Sequence, residues 1–295
     1  MLRRAVIATL CEPSNPGALL QAACMAKLLG GTLAYFDRQL DEPAAAVNVA
    51  YRDRLPLSPR FTDSEDAAEW INDHASVLVV GSDEAWKINP AQRLVFPSHY
   101  FGCGVTVPMI AMAACTSDCG WPLRGARQEQ VFSEALRRFD RIYTRDRNSA
   151  DQLRQIGVPV DGQLPDPTFA FSFSRPPGPQ VTGVTDLTQE PLPDSDALSP
   201  PEWFAAHGRL EGAVVDRMHP LLACLRGGTP CLVRDRRSKT AELVADFRLP
   251  EDVWGDDIEA VKRQWPYLAI AERCEAYKAR WQAVLAALRR EGILP

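Results

Sequence analysis

The residues best suited to chemistry lie between Gly212 and Lys239, in the stretch GAVVDRMHPLLACLRGGTPCLVRDRRSK. Gly212–Asp216 is a short apolar run of the buried-strand type, and Arg217-Met218-His219-Pro220 stands where such a strand ends. Pro220 suits the first turn of a helix whose apolar residues are Leu221, Leu222, Cys224 and Leu225. Gly227 and Gly228 stop that helix, and Pro230 to Val233 reads as the next strand. Arg217 and His219 are therefore expected at the carboxyl edge of a parallel sheet, where open α/β sheets bind ligands. The adjoining helix N-terminus favours anions. Arg234, Arg236, Arg237 and Lys239 follow at the same edge, in a chain whose net charge is −5. Cations gathered around one histidine point to a small, multiply charged anionic substrate.

Two more stretches place polar groups after strands. Ala5–Leu10 reads as a strand, and a helix from Ala18 to Leu29 follows, with Ser14 or Asn15 as cap and Pro16 at its first position. Val77–Val80 is a buried strand running into Gly81-Ser82-Asp83-Glu84-Ala85-Trp86. The small residues allow a sharp exit, which presents two carboxylates and an indole at the sheet edge. Carboxylates accept hydroxyl hydrogen bonds and an aromatic face covers C–H groups, a combination that suits sugars. A helix N-terminus capped by Ser82, with acids in its first turn, explains the same residues.

These segments, taken in order, resemble the polysaccharide pyruvyl transferase family. Asn15 and Gly17-Ala18-Leu19-Leu20-Gln21-Ala22 resemble its asparagine-glycine turn and following helix, although Pro16 stands where an aromatic residue is common. Gly81 to Trp86 is similar to its G-S-D-x-x-W segment. Arg145-Asp146 and Ser149 resemble its arginine-aspartate pair and serine. Asp166-Pro167-Thr168-Phe169 is similar to the segment that ends its first lobe. Arg217, His219 and Lys239 match its R-x-H and downstream lysine.

The resemblance implies an α/β fold of two Rossmann-like lobes of GT-B type. It implies a transferase that uses phosphoenolpyruvate to place a pyruvate ketal on hydroxyls of a sugar, glycan or glycan-lipid acceptor. Arg145, Arg217, His219 and Lys239 would form the phosphoenolpyruvate site, with Arg217 and His219 catalytic. Asn15, Gly17, Ser82, Asp83 and Glu84 would bind substrate. Phosphoenolpyruvate is then a co-substrate, and neither cofactor nor metal is required. Other readings are an anion- or sugar-binding module of the same fold without turnover, or a glycosyltransferase using a sugar nucleotide. Retention of Arg217, His219 and Lys239 together favours catalysis.

The remaining elements must position these groups. With 295 residues, 46% of them hydrophobic, the chain can bury two lobes. Further strands are expected at Val107–Ala114 and Arg141–Thr144, and helices at Ser64–His74, Pro122–Phe139, Ala150–Ile156 and Thr240–Phe247. Residues 40–63 read as an irregular connection and 250–266 as ambiguous. Ser172–Pro200, rich in proline, glycine, serine and aspartate, shows no strand or helix and reads as an extended connection over the cleft. The expected organisation is a first lobe over 1–171, a connection over 172–198, and a reduced second lobe over 199–295. The latter opens on a capped helix at Ser199 and ends in a helix from Leu268 to Arg290. Ile270, Cys274, Tyr277, Trp281, Val284, Leu285 and Leu288 stripe that helix as core.

Composition narrows the partners. An acidic chain argues against nucleic acid, and no apolar run approaches the roughly 18 residues of a membrane span. Met1-Leu2-Arg3-Arg4 runs straight into a strand and makes a poor signal peptide. A cytoplasmic protein with at most peripheral membrane contact is expected, its eight cysteines reduced. His99, Cys103, Cys115 and Cys119 approximate a zinc spacing, but such thiols are more often small core residues.

Overall fold

The computed structural model describes residues 4–38, 43–89, 91, 95–117, 126–174, 178–189, 191–192 and 194–295. Six short parallel strands form the larger sheet: β1 (Ala5–Ala8), β2 (Thr32–Leu33), β3 (Val77–Val80), β4 (Met109–Ala114), β5 (Arg141–Thr144) and β6 (Gly162–Gln163). Their order is β2-β1-β3-β4-β5-β6. The order reverses between β1 and β3, so the loops after these two strands diverge and leave a crevice at their carboxyl ends. β1, β3 and β4 are buried along their whole length. They are apolar throughout because helices cover both faces of the sheet.

On one face lie α3 (Ser64–His74), α4 (Ala126–Leu136) and α5 (Arg147–Gln155), contributing Ile71, Phe132, Leu136 and Leu153 to the core. The other face carries α1 (Pro16–Leu29) and α10 (Ile270–Arg290). Asn15 caps α1 by accepting from the Ala18 amide at 3.1 Å, and Pro16 occupies the first turn. This helix is buried on nearly all sides. Leu19 and Met25 face the larger sheet, while Leu20 and Cys24 join the core of the smaller one. A helix apolar all round marks a position between two layers. α10 closes the same face with Trp281, Leu285 and Leu288, and the Trp281 indole donates to the Pro165 carbonyl at 3.0 Å.

The second sheet has three parallel strands, β7 (Val181–Asp186), β8 (Leu210–Val215) and β9 (Cys231–Val233), with β8 in the centre. α6 (Pro200–Ala206), α7 (Met218–Gly227), α8 (Ser238–Asp246) and α9 (Ile258–Gln264) surround it. A reciprocal capping box between Ser199 and Glu202 starts α6. The ambiguous region resolves into a 3-10 turn at Glu251–Trp254 followed by α9.

Two expectations need correction. The stretch from Ser172 to Pro200 holds β7, which pairs along β8 from Val181↔Leu210 to Asp186↔Val214. It is an edge strand with four of its six residues exposed, so it lacks the apolar run by which strands are read. Residues 40–63 hold α2 (Ala46–Arg52), which has no side-chain cap and buries Asn48 alone. The start of α4 expected at Pro122, and Cys119, lie outside the described residues.

Candidate functional site

The carboxyl ends of the two sheets open onto one cleft of about 830 Å³. From the larger sheet it is lined by the loop after β1, including Glu12 and Asn15, and by Asp83 and Glu84 after β3. From the smaller sheet come Arg217 and His219 after β8, and Arg237 and Lys239 after β9. The segment following β7, Leu187 to Gln189 with Pro191 and Leu192, forms a further wall.

Arg217 is exposed and stands as the extended cap residue just before α7. His219 follows in the first turn. Its ring rests on Gly17, at the start of α1: a Cβ added there would stand 2.3 Å from His219 Cγ. Gly17 is thus required by the approach of the two helices. Its role is to admit the histidine. The His219 Nε2 is buried and has no hydrogen-bond partner among the described residues. Burial, above all, lowers the pKa of this ring. Asp83 and Asp166 pull it back up, and Arg145 and Lys239 push it further down. The positive end of α1 acts in the same direction as burial. The free site therefore holds a neutral imidazole at neutral pH.

The loop after β3 is built around a second close approach. Gly81 has φ +113°, and a Cβ there would lie 2.3 Å from the Met112 carbonyl oxygen. Asp83 follows with φ 66°, a conformation that aspartate tolerates better than most residues. Its carbonyl accepts from the Cys115 amide at 2.9 Å, and the Cys115 carbonyl accepts from the Trp86 amide at 3.2 Å. The loop is thereby stitched onto the end of β4. This turns Ser82 inward, where it is fully buried and caps no helix. The expected exposed indole is corrected as well. Trp86 is buried, donates to the Tyr100 carbonyl at 2.8 Å and meets Phe139 edge-on. The aromatic side chain lining the cleft is instead Trp203 of α6, together with His207. Its position after a capping-box serine marked a helix start and gave no sign of a cleft.

Glu84 ties the two sheets together. It forms a very close ion pair with Lys239 and another with Lys87 at 2.9 Å, and it accepts from the Ser117 hydroxyl at 3.0 Å. Burial alone would raise its pKa, but Lys239 and then Lys87 hold it well below the usual carboxylate range. Arg145 is buried behind the cleft, beside a small cavity of about 40 Å³ that Lys239 also borders. Its guanidinium lies 3.4 Å from Asp83 and 3.9 Å from Asp166. Asp166 in turn accepts from Gln21 of α1, from the Thr168 amide at 3.0 Å and from the Thr168 hydroxyl at 2.6 Å.

The cation cluster is split. Arg237 and Lys239 reach the cleft, Arg237 pairing with Asp235 at 2.9 Å. Arg234 turns away to the Gly255 carbonyl and Asp256, and Arg236 lies over the Trp254 ring. Of the zinc-like set, His99 is fully buried between Phe36 and Tyr100 with its Nδ1 2.9 Å from the Ser64 hydroxyl.

A model of the family described as polysaccharide pyruvyl transferase matches residues 15–238. The chain belongs to that family. The match runs from the cap of α1 to the first residue of α8, so Lys239 follows it directly. A search of curated proteins finds no match. Among solved structures, an uncharacterized protein from Klebsiella pneumoniae subsp. pneumoniae NTUH-K2044 is similar at 12% identity with a TM-score of 0.48, over 82% of this chain and 87% of that one.

Proposed function

We propose that the protein transfers the pyruvyl group of phosphoenolpyruvate to two hydroxyls of a sugar, glycan or glycan-lipid acceptor, forming a ketal. The observation that carries this reading is the meeting of His219, its Nε2 unpartnered among the described residues, with Arg217 and Lys239 in one cleft. The donor is a trianion at most, and an exposed arginine, a lysine and two helix N-termini supply the positive potential to hold it. In the reaction a proton is added to the methylene carbon as C2 gains oxocarbenium character. One acceptor hydroxyl then adds to C2 and loses its proton. The C2–O bond to phosphate breaks, and the second hydroxyl closes the ketal, its proton leaving with phosphate. His219, neutral in the free site, takes up a proton when a phosphate binds beside it, and can then donate it. Lys239 must divide its charge between Glu84 and the donor. Arg145 acts through Asp83 and Asp166, as a positioning residue.

On this reading the two sheets belong to the two lobes of a GT-B-like arrangement, the second lobe taking in β7 from the 172–198 stretch. Among the described residues no helix is long and apolar enough to cross a membrane, and we place the protein in the cytoplasm, with at most peripheral membrane contact. Phosphoenolpyruvate serves as co-substrate, and the scheme calls on no other cofactor. Mass spectrometry of acceptors incubated with protein and phosphoenolpyruvate tests the reading through a pyruvyl-sized gain with release of phosphate. At about a hundred times its dissociation constant the donor should stabilise the protein by roughly 2.7 kcal/mol. A melting shift with a nucleotide sugar and none with phosphoenolpyruvate would overturn the proposal in favour of glycosyl transfer.

A further inference from the structure

The cleft carries mixed charge. Arg217 and Lys239 stand with His219, while the wall formed by the loop after β1 and by α2 holds oxygen atoms that can only accept. Glu12 pairs through Oε1 with Arg38, while its Oε2 is buried and has no donor among the described residues. Asn48, 6% exposed, likewise presents a buried Oδ1 without a donor. Both residues line the cleft.

An orphaned buried acceptor costs on the order of 1–3 kcal/mol, more when it carries charge. Two in one cleft are best satisfied by donors that arrive with a ligand. A carboxylate or a fully ionised phosphate carries no hydrogen to supply them. A hydroxyl can. Trp203 lines the same cleft and offers an apolar face of the kind that covers sugar C–H groups.

Resting on the pyruvyl-transfer reading for the donor, we propose that Glu12 and Asn48 form the acceptor-hydroxyl subsite, and that they select an uncharged sugar ring by taking its hydroxyl protons as hydrogen bonds. Arg38 is the positioning partner that fixes the Glu12 carboxylate with one oxygen free for the acceptor. The donor is thus held by Arg217, His219 and Lys239, and the diol by Glu12 and Asn48. A uronic acid replaces one hydroxyl by a carboxylate that cannot donate to either oxygen, and is disfavoured.

Saturation-transfer NMR on the full chain with phosphoenolpyruvate present tests this, using methyl glucoside, methyl galactoside, methyl mannoside and methyl glucuronide as probes. At least one neutral glycoside should bind, and the glucuronide should bind more weakly than the glucoside. Glu12→Gln keeps an oxygen for Arg38 and replaces the free oxygen by an NH₂ donor. It should weaken glycoside binding about tenfold or more, the loss expected for a hydrogen bond to a charged group. Asn48→Leu, which leaves the Arg38 pair untouched, should act in the same direction. The melting shift with phosphoenolpyruvate should stay unchanged in both, which also shows that they are folded. Failure of every neutral glycoside to bind, equal binding of the glucuronide, or wild-type glycoside binding in both variants overturns the subsite. Loss of the phosphoenolpyruvate shift in Glu12→Gln would assign Glu12 to the donor site and overturn it too. Glycoside binding that depends on Glu12, with no phosphoenolpyruvate shift in the wild type, would keep the subsite and sink the donor reading instead.

Discussion

His219 rests directly on Gly17, so that a side chain on the glycine would stand 2.3 Å from the ring Cγ and 2.7 Å from the histidine Cβ. The clash falls on the base of the imidazole, not on a flexible tip. Relief requires the start of α7 to move away from α1. Gly17→Ala should therefore cost about 1–3 kcal/mol of stability, the usual range for overpacking, and should suppress transfer far more than it weakens phosphoenolpyruvate binding. Urea midpoints and turnover on the same preparation check this. Wild-type turnover in the variant would show that the contact is dispensable.

Stability should fall on mild acidification because of buried histidines. Burial pushes His99 down to about 3 and His207 down to about 4. An unfolded histidine near pH 6.5 binds a proton that these folded sites refuse. The unfolded state therefore gains protons as pH falls from about 6.5 towards about 4, and stability is lost across that window. Glu84 works lower down. Its depressed pKa contributes stability above its unfolded value of 4.5 that is lost as pH falls below it. Urea midpoints between pH 4.5 and 7.5 should rise with pH, and His207→Asn should shallow the slope by about one proton. A flat profile would mean that neither histidine is held neutral.

The Lys239–Glu84 pair should couple stability to the joining of the two sheets. Both side chains are mostly buried, at 11% and 13% exposure. Lys239→Met leaves Glu84 with Lys87, so the loss should fall below the roughly 3–5 kcal/mol of an uncompensated buried charge. A double-mutant cycle with Glu84→Gln should return a coupling of about 1–3 kcal/mol. A coupling within error of zero would show that the pair holds nothing together.

Much of this arrangement is written in local pattern. The strands at Val77–Val80 and Arg141–Thr144 and the helix at Ser64–His74 coincide with their sequence readings. Each has an apolar period or a cap of its own. Arg217 and His219 fall at a strand end because Gly212 to Val215 and Pro220 bracket them. What escaped depends on tertiary contact. β7 is an exposed edge strand recognisable only beside β8, and α2 has no cap. Trp86 reads as a sugar platform until the loop folds back onto β4. Arg234 and Arg236 count as site cations until Gly255 and Asp256 hold the first and Trp254 of the 3-10 turn covers the second. Glu12 and Asn48 share no motif, and only folding brings both to the wall of one cleft.

Arg145 separates a positioning role from direct grip on the donor. Its guanidinium is buried, 3.4 Å from Asp83 and 3.9 Å from Asp166. Arg145→Met should then destabilise the ligand-free protein by about 3–5 kcal/mol, because two buried acids lose their partner at once. Arg145→Lys should recover part of that loss, since one ammonium keeps the charge but cannot fork between two carboxylates. Where Asp166 relaxes, its bonds to Gln21 and Thr168 should loosen, so amide exchange should quicken at Thr168. Direct grip predicts the reverse pattern: ligand-free stability close to wild type, with the phosphoenolpyruvate melting shift abolished. Denaturation curves of both variants, with and without phosphoenolpyruvate, tell these apart.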